Sequence, residues 1–419
     1  MTSGATTSSG PGPSVPGPVP VPVPVLDDDP FSVSFLADPY PRHERMREAG
    51  PVVWLSHYGI WASARHEQVV TALTDWRAFS SASGVGLADF RKEKPWRVPS
   101  LLLEADPPDH TRVREVMTEV LSSRRVRGLR EEFAAVAESL VGDLVERGTF
   151  DAVRDLAEVF PLRVFPDALG LPEEGRENLM PYGGMAFNGF GPRNDLFHEA
   201  MADAPRIQEW INESCRRENL AAGGLGQDIW AFADTGRITP EQAAMLVRSL
   251  LSAGIDTTVY AIGNALAALA AHPGQWARVH ENPALAKLAF EEAIRFESPV
   301  QTFFRTTTRA VDLGGVRIGP GEKILLFLGA ANRDPRKWIN PHTLDVTRRT
   351  AGHVGFGTGI HACVGQQVAR LEGDVVLTAL ARRAAMLSPT AAPEPRPNNT
   401  LRGFSSAPIR VEKAAVRGR

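Results

Sequence analysis

The most suggestive chemistry lies in Phe356-Gly357-Thr358-Gly359-Ile360-His361-Ala362-Cys363-Val364-Gly365, which runs straight into a helical pattern. A thiol at a helix N-terminus, behind a glycine-rich loop with free amide donors, is where the dipole and N–H···S bonds stabilise a thiolate. A thiolate held in this way is a good soft metal ligand. Two other readings fit the same residues. A lone Cys is commonly an inert buried side chain. Gly357-x-Gly359-x-x-Ala362 also matches the loose dinucleotide fingerprint, with His353 to Phe356 as the strand it needs. The chain lacks the alternation of strands and helices that such a site requires. The other cysteine, Cys215, has no metal-binding partner nearby in sequence. Two cysteines cannot make a disulfide framework or hold an iron–sulfur cluster, and they suit a reducing cytoplasm.

A second group lies in Ala253-Gly254-Ile255-Asp256-Thr257-Thr258, where an acid and two hydroxyls interrupt an apolar helical pattern over 240–271. A helix kink, with a Thr hydroxyl bonded back to a carbonyl, accounts for this group structurally. Ser249 and Asp256 are seven residues apart, so an unbroken helix sets them on one face, about 10.5 Å apart along the axis. A rigid ligand gripped at Ser249 would place its far end near Asp256 and Thr257, a span that suits a para-substituted aromatic acid. Arg248 is adjacent but about 100° around the helix. Phe187 and Phe190, with Phe303, would clamp a flat ring or simply pack the core. Arg97 and Ser100 read by themselves as a solvated loop. Glu292 and Arg295 are an i, i+3 pair on one helix face.

These side chains need a scaffold, and the pattern supplies a helical one. The 419 residues are 43% hydrophobic and 23% charged, with 46 Lys+Arg against 49 Asp+Glu. This is a globular composition with no cationic footprint for nucleic acid. Amphipathic spacing predicts helices over 125–146, 198–215, 280–297 and 363–387. Thr239, Pro240 and Gln242 start a helix that His272-Pro273 stops, about 48 Å long at 1.5 Å per residue. Short strands are expected at 51–55 and 59–64, with a hairpin in 313–328. The first 30 residues hold eight of the 33 prolines and read as a disordered Pro-rich leader, neither signal peptide nor membrane span. Residues 31–419 then form one mainly α domain.

The string Phe356 to Gly365 resembles the cysteine-ligand loop of the cytochromes P-450, haem-thiolate monooxygenases, at every fixed position. Glu292-Ala-Ile-Arg295 is similar to that family's E-x-x-R, Ala253 to Thr258 to its distal-helix motif, and His110-Thr-Arg-Val-Arg114 to its bacterial H-x-x-x-R. The resemblance implies the cytochrome P-450 fold, a triangular helix-rich single domain with small β-sheets, holding haem b. Cys363 would be the axial iron ligand. His110, Arg114, Arg305 and His361 would bind the propionates, with Phe356 beside the cofactor. Asp256 and Thr257 would deliver protons to the distal side, and Glu292, Arg295 and Arg348 would be structural.

The stretches 83–110, 246–258, 296–308 and 398–403 resemble the bacterial para-methoxybenzoate O-demethylase branch of the family. This implies a substrate carboxylate gripped at Arg97, Ser100 and Ser249, with Arg248 behind. The ring would lie among Phe187, Phe190, Phe303, Leu103 and Ala253, with Ala186 widening the pocket. The implied reaction converts 4-methoxybenzoate to 4-hydroxybenzoate and formaldehyde with O2. Electrons would come from a ferredoxin and its NAD(P)H-dependent reductase. Arg112, Arg124, Arg125 and Arg127 are candidates for docking that acidic partner. A cytoplasmic monomer, without membrane or nucleic acid, completes the expectation.

Overall fold

A computed structural model describes residues 23–415. Most of its core is helix packed on helix. In Arg130–Arg147 the buried residues Phe133, Ala137, Leu140, Val141, Leu144 and Val145 form one stripe, which packs against the helix Gln366–Arg383. Gly373 on that second helix has no room for a side chain, because a Cβ would fall on the ring of Phe290. The helix Ala286–Glu297 can therefore cross closely.

The start signal at Thr239 is realised as a capping box. Gln242 N–H donates to Thr239 Oγ1 at 3.2 Å, and Thr239 N–H donates to Gln242 Oε1 at 3.0 Å. The expected unbroken helix, however, divides into Pro240–Ala253 and Asp256–Ala271. Two local causes act together. The Thr257 hydroxyl donates to the Ala253 carbonyl at 2.7 Å, so a side chain competes with the backbone ladder. Gly254 also lies flat on Phe165, where a Cβ would come within 2.6 Å of the ring. This stretch has the length and apolarity of a membrane span, but 61% of its most apolar window is buried inside the protein.

Other expected helices are subdivided. The 125–146 segment becomes Ser123–Gly128 and Arg130–Arg147, the 198–215 segment Asp195–Ala200 and Ala204–Ser214, and the 280–297 segment Pro273–Glu281 and Ala286–Glu297. The 363–387 helix begins only at Gln366 and gives way to a strand at Ala384.

Six strands form the largest sheet, in the order Val25–Leu26, Val53–Leu55, Ile60–Ser63, Lys323–Phe327, Thr302–Thr307 and Phe79–Ser80. The hairpin expected in 313–328 is Val311–Leu313 with Val316–Ile318, turning at Gly314 and Gly315, both with positive φ. Val25–Leu26 pairs in parallel with Trp54 and Leu55. The folded unit therefore takes in residues assigned to the leader, whose first 22 residues lie outside the described ones. Residues 353–356 form no strand, and no doubly wound sheet surrounds them. The dinucleotide reading of Gly357-x-Gly359-x-x-Ala362 is thereby excluded.

Candidate active site

Cys363 sits three residues before the helix Gln366–Arg383 rather than on it. Its N–H donates to the Phe356 carbonyl at 2.8 Å, closing the loop, while Gly357 and Gly359 supply the left-handed turns with φ of 66° and 73°. Burial pushes the thiol pKa up; the N–H groups of Gly365 and Gln366 and the charges of Arg114 and Arg370 pull the other way. The loop is braced from outside. Gln366 Nε2 donates to the Cys363 carbonyl at 2.9 Å, and Arg370 binds Gln366. Glu291 ties Arg370 to His353, whose Nε2 lies 3.0 Å from the carboxylate. The sequence reading missed Glu291, His353 and Arg370. Their signal was a second carboxylate beside Glu292, facing another side of the helix.

Glu292, Arg295 and Arg348 form the expected ion network. Arg295 grips Glu292 with two bonds of 2.7 Å and Arg348 adds one of 3.0 Å. Arg295 and Glu292 are fully buried, and Arg295 also donates to the carbonyls of Asn332 and Pro341. Asn332 in turn accepts from Val354 N–H at 2.7 Å. The network thus fixes the approach to the cysteine loop.

Above Cys363 opens a cavity of about 240 Å³, partly open to solvent. Arg97, Ser100, Leu103, Arg114, Phe187, Phe190, Ser249, Ala253, Thr257, Phe303, Arg305, Phe356 and His361 all line it, as does Ala186. At one edge the rings of His110 and His361 meet at a tilt of 59°, centroids 4.4 Å apart. Both ring nitrogens of His110 and Nε2 of His361 are buried without a hydrogen-bond partner. Arg305 is buried, with its guanidinium donating only to the Phe304 carbonyl. Burial lowers its pKa to about 10, and burial with the Arg305 charge lowers that of His361 to about 3. Unpartnered ring nitrogens beside the guanidinium groups of Arg305 and Arg114 suit an anionic group.

The aromatic wall is contiguous. Phe187 meets Phe190 edge-on at 5.9 Å, and Phe190 meets Phe303 at 5.8 Å. At the far end Arg97 lies 3.0 Å from Glu104. The Ser100 hydroxyl accepts from Leu102 and Leu103 N–H, leaving its proton to donate into the cavity. Ser249 donates to the Met245 carbonyl at 2.9 Å and must drop that bond to donate elsewhere.

One expectation changes here. Asp256 does not share the cavity face with Ser249. The helix break turns its carboxyl onto Gly183, where a Cβ would occupy the same space, and Thr257 faces the cavity instead. Burial drives the Asp256 pKa well up, opposed by Arg396. Arg396 bonds Glu158 at 2.7 Å, and both are partly exposed. Arg248 does not line the cavity; it stands behind, donating to the Val98 carbonyl at 2.9 Å.

The model of the family described as Cytochrome P450 matches residues 227–412. A protein named Cytochrome p450 CYP199A2, from Rhodopseudomonas palustris, is 57% identical over 387 residues, covering 92% of this chain and 94% of that protein. The chain belongs to the cytochrome P450 family. Cytochrome P450 107B1 of Saccharopolyspora erythraea is 33% identical, over 91% of this chain and 96% of its own. Among solved structures, cytochrome P450 CREJ in complex with (4-ethylphenyl) dihydrogen phosphate superposes with a TM-score of 0.83 at 26% identity, covering 92% and 99% of the two chains. As a cytochrome P450 the protein is a haem b monooxygenase. The residues present fit that group: a lone thiol on one side, and the unpartnered ring nitrogens of His110 and Nε2 of His361, with Arg305 and Arg114, at one edge, where two carboxylates would go.

Proposed function

We propose that this cytochrome P450 oxidises para-substituted benzoic acids, converting 4-methoxybenzoate to 4-hydroxybenzoate and formaldehyde. The observation that carries the reading is a polar group, Arg97 with Ser100, in a mostly apolar cavity that has an aromatic wall. Arg97 and Ser100 face into the same space as Cys363, across the Phe187, Phe190 and Phe303 wall. A ring held there by its carboxylate points its para substituent toward the cysteine side. The (4-ethylphenyl) dihydrogen phosphate bound by cytochrome P450 CREJ agrees with an anionic para-substituted arene.

Haem, when bound through Cys363, supplies O2 activation. One oxygen atom enters a methoxy C–H bond and the other leaves as water, consuming two electrons and two protons; the hemiacetal then collapses to phenol and formaldehyde. The protein's own work is to hold the carboxylate at Arg97, Ser100 and Ser249, and to exclude water with the three phenylalanines. Thr257 would hand protons inward from Asp256. The route from solvent to Asp256 would run past the partly exposed Glu158–Arg396 pair and the buried Tyr260.

Electrons would come from a small ferredoxin and its NAD(P)H-dependent reductase in the cytoplasm. The four expected docking arginines divide. Arg125 is engaged with Asp228 at 2.9 Å and Arg112 with Asp109 at 3.4 Å, while Arg124 and Arg127 stand exposed. Arg127 borders a groove on the cysteine side that Arg130, Lys287 and Arg370 also line, each of those three paired with Asp374 or Glu291, so Arg124 and Arg127 are the better docking candidates.

Spectral-shift titration of the haem-loaded protein tests the substrate assignment. 4-Methoxybenzoate should bind at least tenfold more tightly than 4-methoxybenzamide, and turnover with ferredoxin and reductase should release formaldehyde. Equal affinity for acid and amide would sink it.

A further inference from the structure

The polar end of the cavity contains one more charge than its proposed task requires. Two guanidinium groups converge on a single carbonyl. Arg97 donates to the Val98 oxygen at 3.0 Å, and Arg248 donates to the same oxygen at 2.9 Å. Like charges brought this close repel, and Arg248 is partly desolvated as well, so burial and the Arg97 charge both lower its pKa. Glu104 answers them. Its side chain is 3% exposed, and one oxygen takes both Arg97 at 3.0 Å and the Ser100 N–H at 2.7 Å.

A carboxylate this buried must be paired, and this one is paired with the very groups assigned to the substrate. The same oxygen also fixes the loop carrying Arg97 and Ser100. One turn further on, the Leu102 carbonyl meets His361 Nδ1 at 3.0 Å. The grip and the cofactor edge are therefore parts of one strap.

We infer that Glu104 is a specificity-determining residue that sets the net charge of the grip. The inference rests on the carboxylate reading proposed above. Two guanidinium groups and one carboxylate leave a single positive charge. The grip is thus matched to a singly charged head group, against both a neutral one and a doubly charged one. Without Glu104 it would carry two positive charges and would favour a dianion. A unit charge a few ångströms from the head group, at an effective dielectric constant of about 20 and with solvent screening, is worth roughly tenfold or more in affinity.

Two tetrahedral heads of the same shape read this directly. 4-Methoxybenzenesulfonate carries one negative charge, and 4-methoxyphenylphosphonate carries two above its second ionisation. Spectral-shift titrations of the haem-loaded wild type, at a pH above that ionisation, should give the sulfonate about tenfold tighter binding than the phosphonate. In Glu104→Gln the ratio should move toward the phosphonate by about tenfold or more. An unmoved ratio would overturn the role of Glu104. If Glu104→Gln does not retain haem, the wild-type pair still decides: phosphonate binding as tight as sulfonate overturns the inference. Failure of the underlying reading shows separately, as a wild type with no preference for 4-methoxybenzoate over its amide.

Discussion

On the cysteine side of the cavity the polar side chains are bonded to one another, whereas on the opposite side the hydroxyls bond only to their own helices. Glu292, Arg295 and Arg348 close on one another and on backbone carbonyls at 2.6 to 3.4 Å. Glu291, His353, Arg370 and Gln366 do the same around the loop. Across the cavity, Ser249 and Thr257 donate to Met245 and Ala253, four residues back. Such back-bonds are local and readily exchanged for a ligand. Buried bidentate ion pairs are not, since losing one partner strands a charge. The cysteine side is therefore built to keep one arrangement, and the opposite side to trade partners during a reaction.

The largest effect that would test this contrast is at the thiol. Cys363→Ser should abolish the strongly red-shifted Soret band of the reduced carbon monoxide complex. Cys215→Ser should leave that band unchanged, because Cys215 is buried in the core with its pKa pushed up to about 12 by burial. A shared loss would show that the spectrum reports folding and not ligation. Next in size is Arg295→Gln. It leaves Glu292 with Arg348 and the Asp345 N–H and should cost about 3–5 kcal/mol in denaturant unfolding, with loss of haem retention. A cost below about 1 kcal/mol would mean that the network is not what fixes the cysteine loop.

The same contrast explains what the sequence could disclose. The cysteine side is legible because its geometry is local: a glycine loop, a thiol three residues before a helix, and an i, i+3 ion pair. Each constrains residue types at fixed spacing. The opposite side is set by contacts from remote segments. Phe165 flattens the chain at Gly254, and the bare face of Gly183 accepts the Asp256 carboxyl. Neither is visible from periodicity, so an unbroken helix and a shared Ser249–Asp256 face were the natural expectations. Glu104 was hidden for a similar reason. Its pairing with Arg97 depends on how the loop folds back, which composition and spacing do not encode. The lining residues Phe187, Phe190, Phe303 and Arg97 came from resemblance, since each alone fits ordinary core or loop.

The smallest predicted effect bears on the exchangeable side. Asp256 is buried, and that burial drives its pKa well above the roughly 3.9 at which it ionises in the unfolded chain. The folded state then binds more protons than the unfolded one. Stability from this residue is complete below the unfolded carboxylate range and is lost as pH rises from there toward the raised folded pKa. Asp256→Asn keeps the shape and neutrality but cannot ionise. Its denaturation midpoint should therefore gain on the wild type as pH rises above about 4. Turnover of 4-methoxybenzoate should fall about 10- to 100-fold, with substrate affinity unchanged and more reduced oxygen lost as hydrogen peroxide. A variant that shows the stability gain but retains wild-type turnover and coupling would leave Asp256 as packing for Gly183, and would assign proton delivery to Thr257 and solvent alone.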